Sequence, residues 1–169
     1  MHRLLFVDDD ANLLATVRRN SQAFSSNWEF SLAPNALIAL DLIKHHHFDV
    51  LVTDIQMPTM NGAQLLNEVA KSSPLIMRIG TSGAYDPMTT YSMTHESHYF
   101  LSKPFTTEAL IEFVDARFIV HKVELRKANS WLNYITRSPS RPEFNYLPKE
   151  TRSRINKERL KRLGITCPD

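Results

Sequence analysis

Short apolar runs and stretches of helical spacing follow one another along the first 120 residues. Short apolar runs are typical of buried strands, whereas apolar residues three or four positions apart are typical of amphipathic helices. The runs predict strands over residues 3–7, 28–33, 48–53, 75–81 and 99–102. The stretches between them predict helices over residues 11–24, 34–44, 62–71 and, weakly, 86–96, and a long helix begins at Thr107.

The alternation of strand and helix predicts the class of fold. Parallel strands are joined by right-handed crossovers, which place helices on both faces of the sheet. We therefore expect an α/β fold with a doubly wound, five-stranded parallel sheet. The apolar run at residues 50–52 suits a central strand, because such a strand is buried on both faces.

The composition is that of a globular chain with a core of its own. Hydrophobic residues make up 43% and charged residues 22% of its 169 residues, as in ordinary soluble domains. The one cysteine, Cys167, has no partner for an intrachain disulfide and favours a reducing compartment. No apolar segment approaches the ~20 residues that a membrane span needs, and the start of the chain lacks the apolar region of a signal peptide. We predict a cytoplasmic protein that does not enter a membrane.

Charge is distributed unevenly between two parts of the chain. Residues 1–120 carry 8 Lys and Arg against 13 Asp and Glu, a net charge of −5, whereas residues 121–169 carry 12 against 5, a net charge of +7. Such a difference predicts two parts with different roles. We expect a domain over residues 1–120 and a basic, mostly helical extension over residues 121–169. The extension would contain the end of the long helix, a Pro-containing linker at 138–142 and a short basic helix at 148–163.

The extension carries apolar residues that a domain ending at residue 120 would leave uncovered, namely Trp131, Leu132 and Ile135. Burying such a side chain is worth roughly 1.5–3 kcal/mol, whereas an exposed ion pair contributes at most about 1 kcal/mol. We expect the extension to pack against the domain of its own chain or of a second copy. One alternative is that its basic residues contact nucleic-acid phosphates, although it is too short for a helix-turn-helix domain. Another is a remnant of a longer output region.

Charged side chains collect where the strands of the predicted sheet end. Asp8 and Asp9 follow the first strand, Asp54 the third, Ser82 the fourth and Lys103 the fifth. The carboxyl ends of parallel strands meet at one edge of the sheet, so we expect these side chains to lie together. Crowded carboxylates repel one another and need a cation, and oxygen ligands favour Mg²⁺. With a lysine to pair with a phosphoryl oxygen, the set predicts phosphoryl transfer onto a carboxylate.

These residues, in their order and spacing, resemble the receiver domain of two-component response regulators. The matching groups are Asp8-Asp9, Asp54 with Met57-Pro58 and Asn61-Gly62, Ser82-Gly83, and Lys103-Pro104-Phe105. The resemblance covers residues 1 to about 120 and implies a flavodoxin-like (βα)5 fold. It implies that Asp54 accepts the phosphoryl group, that Lys103 pairs with it, and that the Lys103–Pro104 peptide bond is cis. The Mg²⁺ ligands would be Asp8, Asp9, Asp54 and the backbone carbonyl of Gln56.

The resemblance also implies a switch that passes phosphorylation on to a protein-binding surface. Ser82 would provide the hydroxyl of this switch and Phe100 its aromatic ring. Thr81 competes for the first role, and we favour Ser82 because the small Gly83 follows it. Tyr99 competes for the second, and we favour Phe100 because of its spacing from Lys103.

The implied function is that of a response regulator in a two-component phosphorelay, a signal-transduction phosphoprotein. It would not be an enzyme, beyond catalysing its own aspartyl phosphorylation and dephosphorylation. Its partners would be a sensor histidine kinase or phosphotransfer protein, a downstream protein and, in a homodimer, a second copy. The alternative is a DNA-binding transcriptional regulator that uses the basic extension. A phosphate-ester hydrolase is a third reading, against which the Lys103-Pro104 pair and the lack of a substrate-sized loop count.

Two other polar features are interpreted as structural. Consecutive residues point in different directions, so the run His45-His46-His47 is expected to be a solvated helix end rather than a metal site. Asp10 is expected to cap the helix that follows it, rather than to bind a metal.

Overall fold

The computed structural model describes residues 1–83 and 99–136, with side chains described as far as residue 127. Its core is one five-stranded parallel sheet with the strand order β2-β1-β3-β4-β5. The strands are β1 (His2–Val7), β2 (Trp28–Ala33), β3 (Val50–Asp54), β4 (Met77–Ser82) and β5 (Tyr99–Ser102). The prediction of a doubly wound, flavodoxin-like parallel sheet is confirmed.

The described residues form four α-helices: α1 (Ala11–Asn20), α2 (Ala36–His45), α3 (Gly62–Ser72) and α4 (Thr107–Thr136). The weak helix predicted at 86–96, the linker at 138–142 and the basic helix at 148–163 lie outside the described residues. Among the helices that are described, none is both long and apolar enough to span a bilayer.

Local hydrogen bonds set the ends of α1. The carboxylate of Asp10 accepts the amide hydrogens of Asn12 and Leu13, so the prediction that Asp10 is a helix cap is confirmed. The helix predicted over residues 11–24 is α-helical only to Asn20, and residues Ser21–Phe24 form a tighter 3-10 turn. There the Ser21 hydroxyl donates to the backbone carbonyl of Arg18 at 2.8 Å, which is the kind of local bond that competes with a continuing α-helix.

The start of α2 differs from the prediction by two residues. The sequence places it at Pro34, but the helix begins at Ala36. The reason is Asn35, whose side-chain oxygen accepts the amide hydrogen of Ile38 at 2.9 Å. A residue that caps in this way has an extended backbone and lies just outside the helix.

The sheet separates two apolar layers, as strands with alternating side-chain directions require. One layer packs β1 and β3 against α2 and α3, and its fully buried side chains include Leu5, Val7, Leu51, Leu65 and Leu66. The opposite layer packs the sheet against α1 and α4, and includes Leu4, Phe6, Val17, Leu110 and Val114. Every residue of β3 is buried, which fixes β3 at the centre of the sheet and Asp54 at its carboxyl-terminal tip.

Contacts between α-carbons divide the chain between His121 and Lys122. The helix α4 is described to Thr136. The assignment of residues 121–169 to a separate basic extension stays a prediction, because most of that segment lies outside the described residues.

Candidate functional site

Two buried acids lie side by side at the carboxyl-terminal edge of the sheet. Val7 of β1 pairs with Thr53 of β3, so Asp8 and Asp54, one position further along each chain, are neighbours. Asp8 is 1% exposed and Asp54 is 8% exposed. With Asp9, which is exposed, they each offer an oxygen within 4.8 Å of the other two. The structure thus brings together the three acids that the sequence predicts at this edge.

Lys103 reaches both buried carboxylates from the end of β5. Its Nζ lies 2.7 Å from Oδ2 of Asp8 and 3.1 Å from Oδ2 of Asp54. Its backbone N–H donates to the carbonyl oxygen of Ser82 at 2.9 Å, which continues the pairing of β5 with β4. The peptide bond from Lys103 to Pro104 is cis, as the resemblance implies.

Burial and charge act against each other in this cluster. Burial raises the pKa of Asp8, the charge of Asp54 adds to the effect, and the hydrogen bonds from Lys103 and from the Asp10 amide offset it only in part. Burial alone would lower the pKa of Lys103, but the hydrogen bonds and charges of Asp8 and Asp54 together raise it. Lys103 is therefore held charged, and it offsets the effect of burial on the pKa of Asp8 only in part.

The helix α3 begins against the backbone of Asp54. The amide of Gly62 donates to the carbonyl oxygen of Ile55 at 3.0 Å, and a Cβ at Gly62 would lie only 1.9 Å from the carbonyl oxygen of Asp54. Asn61 and Gln64 cap this helix reciprocally. In the sequence, Gly62 is only the first residue of a predicted helix and part of the Asn61-Gly62 match. The close approach is not predicted, since nothing local shows which backbone faces the glycine.

The segment between Asp54 and α3 contains one buried and one exposed residue that concern the site. Met57 is buried against the apolar layer that contains α2 and α3. Gln56 is exposed two positions after Asp54. Its role as a backbone ligand stays a prediction.

The predicted switch residues lie on β4 and β5. Ser82 pairs with Ser102, and Gly80 pairs with Phe100. Ser82 is 7% exposed, whereas Thr81 is fully buried and its hydroxyl lies 3.4 Å from the carbonyl oxygen of Thr53. Phe100 is partly buried against the layer that contains α2 and α3. Thr81 is the strand partner of Asp54 and Ser82 directly follows it, so the choice of Ser82 over Thr81, and of Phe100, stays a prediction.

The acidic cluster offers a donor set that suits Mg²⁺. All of the candidate side-chain ligands are carboxylate oxygens, and Mg²⁺ prefers hard oxygen ligands together with several waters. Asp9 is exposed, which leaves the cluster open to water on that side. The residues present therefore fit the predicted ion.

Comparison with known proteins gives a family match over most of the described domain. Residues 4–115 match the family model of the response regulator receiver domain. The chain is 26% identical over 144 residues to a probable transcriptional regulator of Pyropia yezoensis, which covers 79% of this chain and 63% of that protein. It is 32% identical over 115 residues to the response regulator Rre1 of Synechocystis, which covers 63% of this chain and 47% of that protein. The chain thus spans about half to two thirds of the length of these relatives.

A solved structure shows the same fold. The CheY-like response regulator receiver domain protein of Methanospirillum hungatei superposes with a TM-score of 0.67, covering 73% of this chain and 98% of that one. The two sequences are 23% identical, so the likeness concerns the fold alone.

Proposed function

This chain belongs to the response regulator receiver domain family, and we propose that, as a response regulator of two-component signal transduction, it accepts a phosphoryl group on Asp54. The observation that carries the proposal is the position of Lys103. Its ammonium group lies 2.7 Å from Asp8 and 3.1 Å from Asp54, so one cation touches both the proposed acceptor and a proposed metal ligand. A purely structural ion pair would need one carboxylate, not a cluster of three.

Phosphoryl transfer requires a nucleophile, groups that neutralise the negative charge on the phosphoryl oxygens, and a fixed orientation of the nucleophile towards phosphorus. A carboxylate oxygen of Asp54 forms the bond to phosphorus while the bond between phosphorus and the donor breaks, and the donor keeps the electron pair of that bond. Lys103 neutralises a phosphoryl oxygen as negative charge gathers there. Asp54 is held at the tip of a strand that is buried throughout, and this packing fixes the direction from which its carboxylate approaches the donor.

Mg²⁺ would be held by Asp8, Asp9 and Asp54, with the backbone carbonyl of Gln56 as a further ligand. When bound, it supplies positive charge to the phosphoryl oxygens. The residues that hold it have different tasks. Asp8 is fixed by the amide of Asp10, which donates to its Oδ1 at 3.0 Å, whereas the exposed Asp9 is available to orient water.

The phosphoryl donor that we propose is the phosphohistidine of a sensor histidine kinase or of a phosphotransfer protein. The chain would catalyse only its own phosphorylation and dephosphorylation, and it would act on a downstream protein by binding. The described residues contain no feature that favours the DNA-binding alternative, which depends on a segment outside them.

We further propose that Ser82 and Phe100 carry the switch. Ser82 is joined to the site through its carbonyl oxygen, which accepts the amide of Lys103 at 2.9 Å. A hydrogen bond from its hydroxyl to a phosphoryl group on Asp54 would draw β4 and β5 towards the site. Phe100 lies on β5 and is only partly buried, so its ring is able to change position with the strand.

Intact-mass measurement tests the acceptor. With Mg²⁺ and a small phosphodonor such as acetyl phosphate, the parent protein should gain one phosphoryl group, and Asp54→Asn should gain none. Asp49→Asn is a poor control because Asp49 holds the Arg3 amide, so the exposed Asp41→Asn serves instead and should be phosphorylated normally. An undiminished adduct on Asp54→Asn would refute the assignment.

Amide exchange tests the switch. A beryllofluoride-type phosphoryl mimic should protect β4 and β5 in the parent and leave Ser82→Ala unprotected, although Ser82→Ala still accepts phosphate. Thr81→Val, which removes the competing hydroxyl at nearly constant volume, should behave like the parent. If Thr81→Val loses the protection and Ser82→Ala keeps it, the roles of the two residues are reversed.

A further inference from the structure

A strained turn lies between Asp54 and α3. The backbone N–H of Met60 donates to the carbonyl oxygen of Pro58 at 2.9 Å, and Thr59 between them has a φ of 70°. A hydrogen bond that spans a single residue with a φ of about +75° defines the rarer of the two kinds of γ-turn, which is strained. A β-branched residue such as threonine is especially unfavourable at positive φ. The strain is therefore located at Thr59.

The loop that contains this turn, residues 56–61, is held in place by its surroundings. Ile55 donates its backbone N–H to the carbonyl oxygen of Thr81 at 2.9 Å, and its own carbonyl oxygen accepts the N–H of Gly62 at 3.0 Å. Met57, inside the loop, is 7% exposed and packs in the apolar layer that contains α2 and α3. These contacts restrict the path of the chain between Met57 and Gly62.

The turn itself does not offset the strain at Thr59. Pro58 cannot take over the unusual dihedral angle, because its ring fixes φ at about −65°. Thr59 is exposed, and its hydroxyl has no hydrogen-bond partner among the residues that the structure describes. A residue strained in this way persists only where the surrounding structure determines its conformation, and such residues are concentrated at functional sites.

The same loop carries the proposed backbone ligand of Mg²⁺. Gln56 is exposed, and its carbonyl oxygen accepts no backbone hydrogen bond from the described part of the chain. A backbone carbonyl needs a hydrogen-bond donor, water or a cation as its partner. Gln56 lies three residues before Thr59 in a loop whose ends are fixed, so a change of φ at Thr59 has to be taken up by the peptide units between them. The orientation of the Gln56 carbonyl therefore depends on the turn.

We propose that Thr59 is a positioning residue for the carbonyl oxygen of Gln56 and that its strain sets the affinity of the site for Mg²⁺. This inference rests on the proposed function, in which that carbonyl is a metal ligand. Strain shifts part of the population to loop conformations in which Thr59 has a negative φ and the carbonyl is displaced. The apparent dissociation constant for Mg²⁺ is the intrinsic constant divided by the fraction of chains in the binding conformation. Phosphorylation thus requires more Mg²⁺ than it would with a relaxed loop.

Two substitutions of Thr59 in the full-length chain test this role. Thr59→Gly removes the strain, because glycine adopts positive φ freely, and Thr59→Val is the matched control that keeps the β-branch without the hydroxyl. An Mg²⁺ titration without phosphodonor, followed by the amide NMR signals of the loop, measures the affinity. We expect an apparent Kd about three- to tenfold lower in Thr59→Gly and unchanged in Thr59→Val. In Mg²⁺-free buffer with a chelator, the Tm of Thr59→Gly should exceed that of the parent.

The rate of Asp54 phosphorylation separates the role of Thr59 from the proposed function. At saturating Mg²⁺ the parent and Thr59→Gly should react equally fast, whereas at low Mg²⁺ Thr59→Gly should be faster. A lack of phosphorylation in the parent would refute the proposed function, and the titration and the Tm would still decide the role of Thr59. If Asp54 is phosphorylated but Thr59→Gly binds Mg²⁺ no more tightly than the parent, only the role of Thr59 is refuted. Equal tightening in Thr59→Val would assign the effect to the hydroxyl and would also refute that role.

Discussion

The two edges of the sheet hold their charged side chains in different ways. At the carboxyl-terminal edge, Asp8, Asp9 and Asp54 lie together and Lys103 pairs with Asp8 and Asp54. Burial raises the pKa of Asp8 there. At the amino-terminal edge, two carboxylates accept hydrogen bonds from neutral donors. Asp49 accepts the Arg3 amide at 3.0 Å, and Asp115 accepts the indole N–H of Trp28 at 2.8 Å.

The difference shows what each edge can do. Negative charge that the fold leaves uncompensated favours a cation and a phosphoryl group, because both relieve the repulsion. Carboxylates that accept hydrogen bonds from backbone and indole N–H groups mainly hold elements of the fold together. The same kind of side chain is thus reactive at one edge and structural at the other.

The largest expected effect comes from removing the cation of the carboxyl-terminal edge. Lys103→Ala should slow phosphorylation of Asp54 by about 10²–10³-fold, as loss of a charge-stabilising donor does in other active sites. The measurement is the initial rate of adduct formation by intact mass at saturating Mg²⁺. Lys71→Ala is the matched control, since Lys71 pairs with the exposed Glu68, at 3.0 Å, and its rate should equal that of the parent. A normal rate of Asp54 phosphorylation in Lys103→Ala would contradict the proposal that Lys103 stabilises the transferred phosphoryl group.

The second effect compares two glycines at this edge. Gly62→Ala puts a Cβ 1.9 Å from the Asp54 carbonyl oxygen, whereas a Cβ at Gly83 has no heavy atom within 4 Å. We expect Gly62→Ala to lower the free energy of unfolding by about 1–3 kcal/mol or more, and Gly83→Ala to change it by no more than about 0.5 kcal/mol. Urea denaturation measures both. Equal stability of the two variants would show that α3 does not press against Asp54.

The sequence predicts the fold and the members of the acidic cluster because both depend on local patterns. The apolar runs show the five strands, and the parallel arrangement then brings Asp8, Asp54 and Lys103 to one edge. The sequence does not predict the close approach at Gly62 or the hydrogen bond from the Trp28 indole N–H to Asp115. These depend on which backbones and loops become neighbours after folding, and neither has a signal in spacing along the chain. A predicted helix boundary is wrong where a capping side chain sets the actual one. Asn35, which caps α2, is the example.

The third effect tests whether the amino-terminal edge is structural. Trp28→Phe keeps an aromatic ring but removes the N–H that Asp115 accepts at 2.8 Å, and the expected loss is about 1 kcal/mol of the free energy of unfolding. The rate of Asp54 phosphorylation should not change. Asp115→Asn, which keeps an acceptor oxygen, should lose less stability than Trp28→Phe. A slower phosphorylation rate in Trp28→Phe would mean that the two edges are coupled.

The smallest effect concerns the buried acid itself. Since burial raises the pKa of Asp8 above its ordinary value of 3.8, the folded state favours the neutral form, and ionised Asp8 lowers stability. Below that value Asp8 is neutral in both the folded and the unfolded protein. Stability falls as the pH rises from 3.8 through the higher pKa of Asp8 in the folded state. Above that higher pKa the loss of stability is constant.

Asp8→Asn should therefore have a higher Tm than the parent at neutral pH in Mg²⁺-free buffer with a chelator, and the two curves should converge in acid. The asparagine keeps an oxygen that can accept the hydrogen bond from Lys103, so the comparison isolates the charge. With Mg²⁺ added, the parent should gain stability and Asp8→Asn should gain less, because it has lost a hard oxygen ligand. A Tm for Asp8→Asn below that of the parent at neutral pH without Mg²⁺ would mean that Lys103 compensates the cluster fully, and the contrast between the two edges would then fail.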